Sequence, residues 1–259
     1  MARRGSPTLV LARHELRLQR DDALPLLLLV LLPLAVVVFF QPALELALFA
    51  EGYVHANGSS QAVPGVAVTF SLFLVGYVGV SFFRDHGWGT WDRLRVVPAA
   101  RSQILAAKML PLILLAWAQL AILFGFGFLL FDLQANGSIL ALVAVAIVFA
   151  AVPVTAGVVA VVFARTLQQV NVIANLGSIV VAGLGGALVP LSLLPDWVQI
   201  MAPASPAYWA MRGFRSVLLE RGGMSDVALP FVVLSAWSIV FLGLALARLR
   251  RADMPLAWA

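Results

Sequence analysis

Long runs of apolar residues recur along the whole chain and are separated by short polar connections. Each run reaches the ~20 residues that a helix needs to cross a hydrocarbon layer of ~30 Å. The pattern predicts an all-α integral membrane protein with six transmembrane helices in a single transmembrane domain, 1–259. The fifth run is rich in glycine and ends at Pro190 and Pro195. The predicted spans are 23–44, 63–83, 109–131, 139–164, 170–194 and 227–247.

The connection between the fifth and sixth spans, residues 195–223, is long and polar but contains several aromatic side chains. Aromatic residues of this kind are typical of the membrane interface. We therefore predict two short interfacial or re-entrant helices here, broken at Pro203 and Pro206. A plain extracellular loop is the alternative. The aromatic residues are Trp197, Tyr208, Trp209 and Phe214.

Composition agrees with a membrane protein, since 62% of the 259 residues are hydrophobic and 11% are charged. Fourteen of the 17 basic residues lie in the N-terminal segment, the second and fourth connections and the C-terminal tail. Cytoplasmic segments of membrane proteins carry this excess. The sequence predicts a multi-pass protein of the cell membrane with both termini in the cytoplasm. The basic residues reflect topology, so no nucleic acid partner is expected.

Several chemistries are excluded by the residues that the sequence lacks. There is no cysteine, and the only lysine, Lys108, lies outside any phosphate-binding loop pattern. No hydrolase or metalloprotease motif occurs, and no metal site is predicted. None of the six spans contains a charged residue, which disfavours a carrier driven by protons. We expect a transport protein that is not an enzyme and draws its energy from another subunit.

Two cytoplasmic segments could receive a push from such a subunit. In the segment 8–22, Arg13, Arg17 and Arg20 follow helical spacing and predict an interfacial helix along the inner leaflet. The alternative is a basic segment that only stops translocation.

The second segment, Arg84–Arg101, mixes both charge signs with tryptophans. Thr90 can cap a short helix over 91–97, and Pro98 stops it. A short rigid helix on a cytoplasmic loop could dock into a recess on a partner subunit. The alternative is a solvated basic loop. The predicted coupling residues in this segment are Arg84, Asp85, Gly89, Thr90, Trp91, Asp92, Arg93, Leu94 and Pro98.

These residues resemble a pattern in permeases of type-2 ABC exporters, in which an acidic residue and Gly-Thr precede a Leu, a Pro and a Lys. Asp85 is the nearest match to the acidic position. A second stretch resembles the exit of the same family's fifth span. The residues that carry the resemblance are Gly89, Thr90, Asp92, Leu94, Pro98 and Lys108, followed by Gly185, Gly186, Pro195, Trp197, Pro206, Tyr208, Gly213 and Arg215.

The resemblance implies a permease that pairs with a second copy, or with a homologous chain, on two cytosolic ATP-binding subunits. ATP and Mg are expected on those subunits, and no cofactor on this chain. Closure of the subunits would push on the Arg84–Arg101 loop and the N-terminal helix. The family implies export of a drug, an antibiotic or an amphipathic lipid-like compound. The alternatives are a lipid-linked polysaccharide exporter and a gradient-driven secondary transporter.

The fifth span is the predicted pairing or path-lining face. Asn171, Asn175 and Ser178 lie at i, i+4 and i+7, a polar stripe that lipid would disfavour. Gly183 and Gly186 would permit close approach of another backbone, so a leucine at Gly186 is expected to weaken dimer cross-linking. Packing within one subunit is the alternative.

Overall fold

The computed structural model describes residues 23–87 and 101–251, and every regular element in these ranges is helical. Two short 3-10 turns, Leu191–Leu193 and Ala202–Ala204, accompany the α-helices. The α-helices are α1 (Ala23–Ala50), α2 (Ser59–Gly87), α3 (Arg101–Leu130), α4 (Ile139–Phe163), α5 (Leu167–Leu184), α6 (Asp196–Met201), α7 (Pro206–Leu218) and α8 (Ala228–Arg251).

Six of these helices, α1 to α5 and α8, are long and apolar enough to cross a membrane. The all-α architecture with six spans is therefore confirmed. The predicted end of the fifth span at residue 194 is wrong, because α5 ends at Leu184. Gly186 follows with a φ of +73°, a left-handed conformation that glycine adopts without strain. Pro190 then separates this turn from the next short segment.

Helix α2 lies at the centre of the bundle and packs against α1, α3, α4, α5 and α7. Glycines allow two of these contacts to be close. A Cβ atom added at Gly79 would lie 2.5 Å from Val170 Cγ1 of α5. A Cβ atom added at Gly157 of α4 would lie 2.7 Å from Val78 Cβ of α2. Small residues at helix contacts are the usual means of tight packing within lipid.

The segment after α5 forms two short helices, α6 and α7, as predicted, and the alternative of a plain loop is wrong. Pro203 lies in the 3-10 turn between them, and Pro206 is the first residue of α7. Ser205 caps α7 by accepting a hydrogen bond from the Ala207 amide at 3.2 Å. Its hydroxyl also donates to the Val181 carbonyl at 2.9 Å, which fixes the start of α7 to the end of α5.

The two Asn-Gly-Ser sequences form structural turns. The Asn57 Oδ1 atom accepts from the Gln41 amide at 2.8 Å, and the Asn136 amide donates to the Leu218 carbonyl at 2.8 Å. A Cβ atom at Gly137 would lie 2.3 Å from the Gly222 carbonyl oxygen, so this glycine is required by a close backbone contact. These turns fasten the first and third connections to the helices beside them.

Candidate functional site

Most of the predicted coupling residues lie outside the described residues. Arg84 and Asp85 belong to the last turn of α2. The assignment of these residues to a partner contact stays a prediction. The residues outside the described ranges are Arg13, Arg17, Gly89, Thr90, Trp91, Asp92, Arg93, Leu94 and Pro98.

The polar stripe predicted on α5 divides between two environments. Ser178 is buried with Ala174 on the row that faces α2. Asn171 is half-buried, with its Oδ1 atom 3.6 Å from the Cβ position of Gly76. Asn175 is exposed. The close approach of α5 to the glycines of α2 turns one edge of the stripe inward, so Ser178 packs within the subunit.

Gln168 and Gln169 are exposed near the start of α5, and from Val172 onward its outward side is apolar apart from Asn175. Leu176 is 63% exposed, and a Cβ atom at Gly183 would meet nothing within 4 Å. Gly186 is not on this side, because it is buried in the turn after the helix. A Cβ atom added at Gly186 would lie 3.3 Å from Leu191 Cβ. Of the candidate pairing residues, Asn175 and Gly183 therefore face outward, and Gly186 does not.

A partly buried polar cluster occupies the end of the bundle that carries the 51–58 connection, called here the Glu51 end. Arg215 of α7 forms an ion pair with Glu51 at 2.6 Å, with 18% and 10% of the two side chains exposed. The second Arg215 amino group donates to Gln61 Oε1 of α2 at 2.7 Å. Hydrogen bonds between charged groups at such distances are among the stronger ones in proteins.

The cluster reaches further segments through the same side chains. The Gln61 amide donates to the Gly186 carbonyl at 2.9 Å, and the Ser192 hydroxyl donates to Glu51. The Tyr53 ring lies 5.8 Å from the Arg215 guanidinium. We call Glu51, Gln61, Gly186, Ser192 and Arg215 the Glu51 cluster. It joins the ends of α1 and α5 to the start of α2 and to α7.

No spacing along the chain selects this cluster, because Glu51 and Arg215 are 164 residues apart. Arg215 was singled out only by resemblance, and Glu51 and Gln61 were not candidates. The available signal was the position of Glu51 directly after the apolar stretch of α1. A charge at that point has to find a partner or reach water.

A recess of about 320 Å³ lies beside the cluster. Its walls carry both charge signs, together with aromatic and apolar groups. Arg212 lies 5.5 Å over the Trp209 ring, and Glu220 accepts a hydrogen bond from the Tyr53 hydroxyl at 3.4 Å. The lining residues are Glu51, Gly185, Gly186, Leu191, Tyr208, Met211, Arg212, Arg215 and Glu220.

Lys108 lies at the opposite end of the bundle and is 3% exposed. Its ammonium group donates to the Ser81 carbonyl at 3.3 Å and lies 5.1 Å from the Phe82 ring. These contacts connect the first part of α3 to the last part of α2. Within the described ranges, no group of three or more His, Asp or Glu residues could hold a metal ion.

Comparison with known families gives a match to the ABC-2 type transporter model over residues 9–219. The matched region covers most of the six-helix bundle and the Glu51 cluster. The chain belongs to the ABC-2 type transporter family. This ABC-2 transporter chain is also similar to the linearmycin resistance permease protein LnrN of Bacillus subtilis (strain 168). The two are 23% identical over 196 residues, which cover 76% of this chain and 51% of the relative. The ABC-2 transporter chain therefore spans about half the length of the curated relative that it matches.

Proposed function

We propose that this chain is the membrane-spanning permease subunit of an ATP-driven ABC exporter for drugs, antibiotics or amphipathic lipid-like compounds. The observation that carries the proposal is the ABC-2 family match over 9–219 on a bundle of six apolar helices. The resistance permease of B. subtilis supports a cargo of the antibiotic kind. The sequence has no phosphate-binding loop, so ATP and Mg belong on a partner.

The proposal includes an orientation in the cell membrane. The basic segments before α1, between α2 and α3, and after α8 support a cytoplasmic location for these ends. The Glu51 end then lies on the outer side. In this orientation the segment 84–101 and the N-terminal segment are available to a cytosolic ATP-binding subunit, in two copies for a pair of permeases.

We place the contact with a second permease copy on the outward side of α5. Lipid already satisfies apolar side chains, so exposure of Leu176 alone does not favour a protein partner. Asn175 does favour one, because an exposed amide in lipid lacks hydrogen-bond partners. Gly183 leaves room for a second backbone on the same side.

A single-cysteine experiment tests this pairing, because the chain has no cysteine of its own. Leu176→Cys should form a disulfide-linked dimer in membranes under mild oxidation. Ala174→Cys is the matched control, since Ala174 is 2% exposed and faces α2. The placement would be contradicted if the two variants cross-linked equally, or if neither of them cross-linked.

The exporter itself is tested by co-expression with a candidate ABC ATP-binding subunit. We expect the two proteins to co-purify, and cells to withstand higher concentrations of amphipathic antibiotics. Joint substitution of Gly89, Leu94 and Pro98 should abolish co-purification and resistance, whereas Arg221→Gln at the Glu51 end should leave both unchanged. Resistance that persists without the ATP-binding subunit would refute the proposal.

A further inference from the structure

The recess at the Glu51 end carries one uncompensated charge of each sign. Glu51 and Arg215 neutralise each other at 2.6 Å. Arg212 is exposed and contacts the Trp209 ring, and Glu220 is exposed and contacts the Tyr53 hydroxyl. In the part of the chain that the structure describes, neither has an ion-pair partner. A ligand in the recess therefore meets both a cation and a carboxylate.

The surroundings place the recess at the depth of lipid headgroups. The short helix α6 exposes 61% of Trp197 and 79% of Ile200 at the same end of the bundle. Exposed tryptophan and aliphatic residues next to charged groups are typical of the membrane interface. Below the recess, the last turns of α1 and α5 expose apolar side chains, including 61% of Phe49 and 57% of Val180.

We propose that this recess binds the head of a zwitterionic amphiphile. The anionic group of the ligand pairs with Arg212, its ammonium group pairs with Glu220, and its hydrocarbon chain lies along the apolar flank. An anionic head lacking the ammonium would be repelled by Glu220, and a cationic head by Arg212. The recess, with Arg212 and Glu220, therefore favours headgroups that carry both an anionic group and an ammonium group. Such binding is a property of this chain alone and goes beyond its role in ATP-driven export.

The test measures equilibrium binding to the purified full chain in a non-ionic detergent, without any ATP-binding subunit. The probes are short-chain phosphatidylethanolamine and short-chain phosphatidylglycerol. We expect the ethanolamine lipid to bind more tightly. Arg212→Gln should weaken its binding about tenfold, the scale of one charge-assisted contact. Glu220→Gln should remove the preference, so that both lipids bind equally.

The matched controls are Arg221→Gln and Asp196→Asn, which remove exposed charges near the same end but outside the recess. They should leave both affinities unchanged, and the recess variants should melt at the same temperature as these controls, which shows that they are folded. Equal binding of the two lipids to the unaltered chain would overturn the proposal. So would equal effects of the recess and control substitutions.

The ligand is either a lipid headgroup or a soluble zwitterion. Competition by free phosphoethanolamine, which has no hydrocarbon chain, distinguishes the two. If it does not compete with the lipid, the recess is a lipid headgroup site. If it competes at similar concentration, the recess binds soluble zwitterions. Because no transport is measured, a failure of the export proposal would leave this result intact, and the reverse also holds.

Discussion

The ion pair between Arg215 and Glu51 offers a quantitative test of how the Glu51 end is held together. Arg215→Met keeps most of the side-chain length but removes the charge. Glu51, only 10% exposed, is then left with the Ser192 hydroxyl and no cation. Removing one partner of a buried pair costs about 3–5 kcal/mol. Because both groups retain some contact with water, we expect the lower value, about 3 kcal/mol.

Thermal melting of the full chain in detergent, followed by tryptophan fluorescence, measures this loss. For a chain of this size, roughly 2–4 °C of melting temperature corresponds to each kcal/mol, so Arg215→Met should lower it by roughly 6–12 °C. Arg212→Met is the matched control on the same helix. Its guanidinium is exposed and, among the described residues, contacts only the Trp209 ring, a contact that contributes about 0.5–1 kcal/mol.

A double-mutant cycle separates the pair from other effects of the substitution. Glu51→Gln combined with Arg215→Met leaves no buried charge without a partner. The double variant should therefore be more stable than the sum of the single effects predicts, by at least about 1 kcal/mol. Effects that add within about 0.3 kcal/mol would refute the reasoning. An Arg215→Met variant with the same melting temperature as Arg212→Met would also refute it.

Further predictions concern single positions. Gly186→Ala should destabilise the chain by about 1–3 kcal/mol in the same melting assay, because the φ of +73° at this position is strained for alanine. Gly177→Ala is the control, since a Cβ atom at this helical position meets nothing within 4 Å. It should be neutral or stabilising by up to about 1 kcal/mol. Lys108→Met should lower the free energy of unfolding by about 1–3 kcal/mol, because it removes a buried donor from the Ser81 carbonyl. Arg165→Met, at an exposed position, should change the free energy of unfolding by less than about 0.5 kcal/mol. A Gly186→Ala variant as stable as the parent, or equal effects at Lys108 and Arg165, would contradict these assignments.

The six spans and the two short helices could be predicted because both depend on local composition. A run such as 139–164 is too apolar to lie anywhere except in lipid or a core, and Pro203 and Pro206 interrupt any longer helix. The end of α5 was harder to predict. Its apolar residues continue to Leu194, and only the backbone conformation at Gly186 shows that the helix has ended.

The candidate pairing face was predicted only in part. Helical spacing placed Ser178 with Asn175, but the side of α5 that turns inward depends on which neighbour approaches most closely. That neighbour is α2, whose Gly76 and Gly79 admit the row containing Val170 and Ala174. Such a choice between faces is a tertiary effect, and the spacing along one helix does not contain it.

The Glu51 cluster was missed for a related reason. Its members come from four separated segments, and each residue type is ordinary at its own position. Gln61 becomes informative only when its fully buried side chain is seen to bridge Arg215 and the Gly186 carbonyl. Long-range polar contacts of this kind are determined by the packed arrangement of the helices.

The way the short helix α7 is fastened restricts where a passage can form. Ser205 fixes the start of α7 to α5, and two contacts hold its last turn: Asn136 joins it to the α3–α4 connection, and Arg215 joins it to α2 and to Glu51 at the end of α1. These anchors close the seams between neighbouring helices at one rim of the molecule. Separating α7 from α1, α2 or α5 at this rim would therefore require breaking these hydrogen bonds.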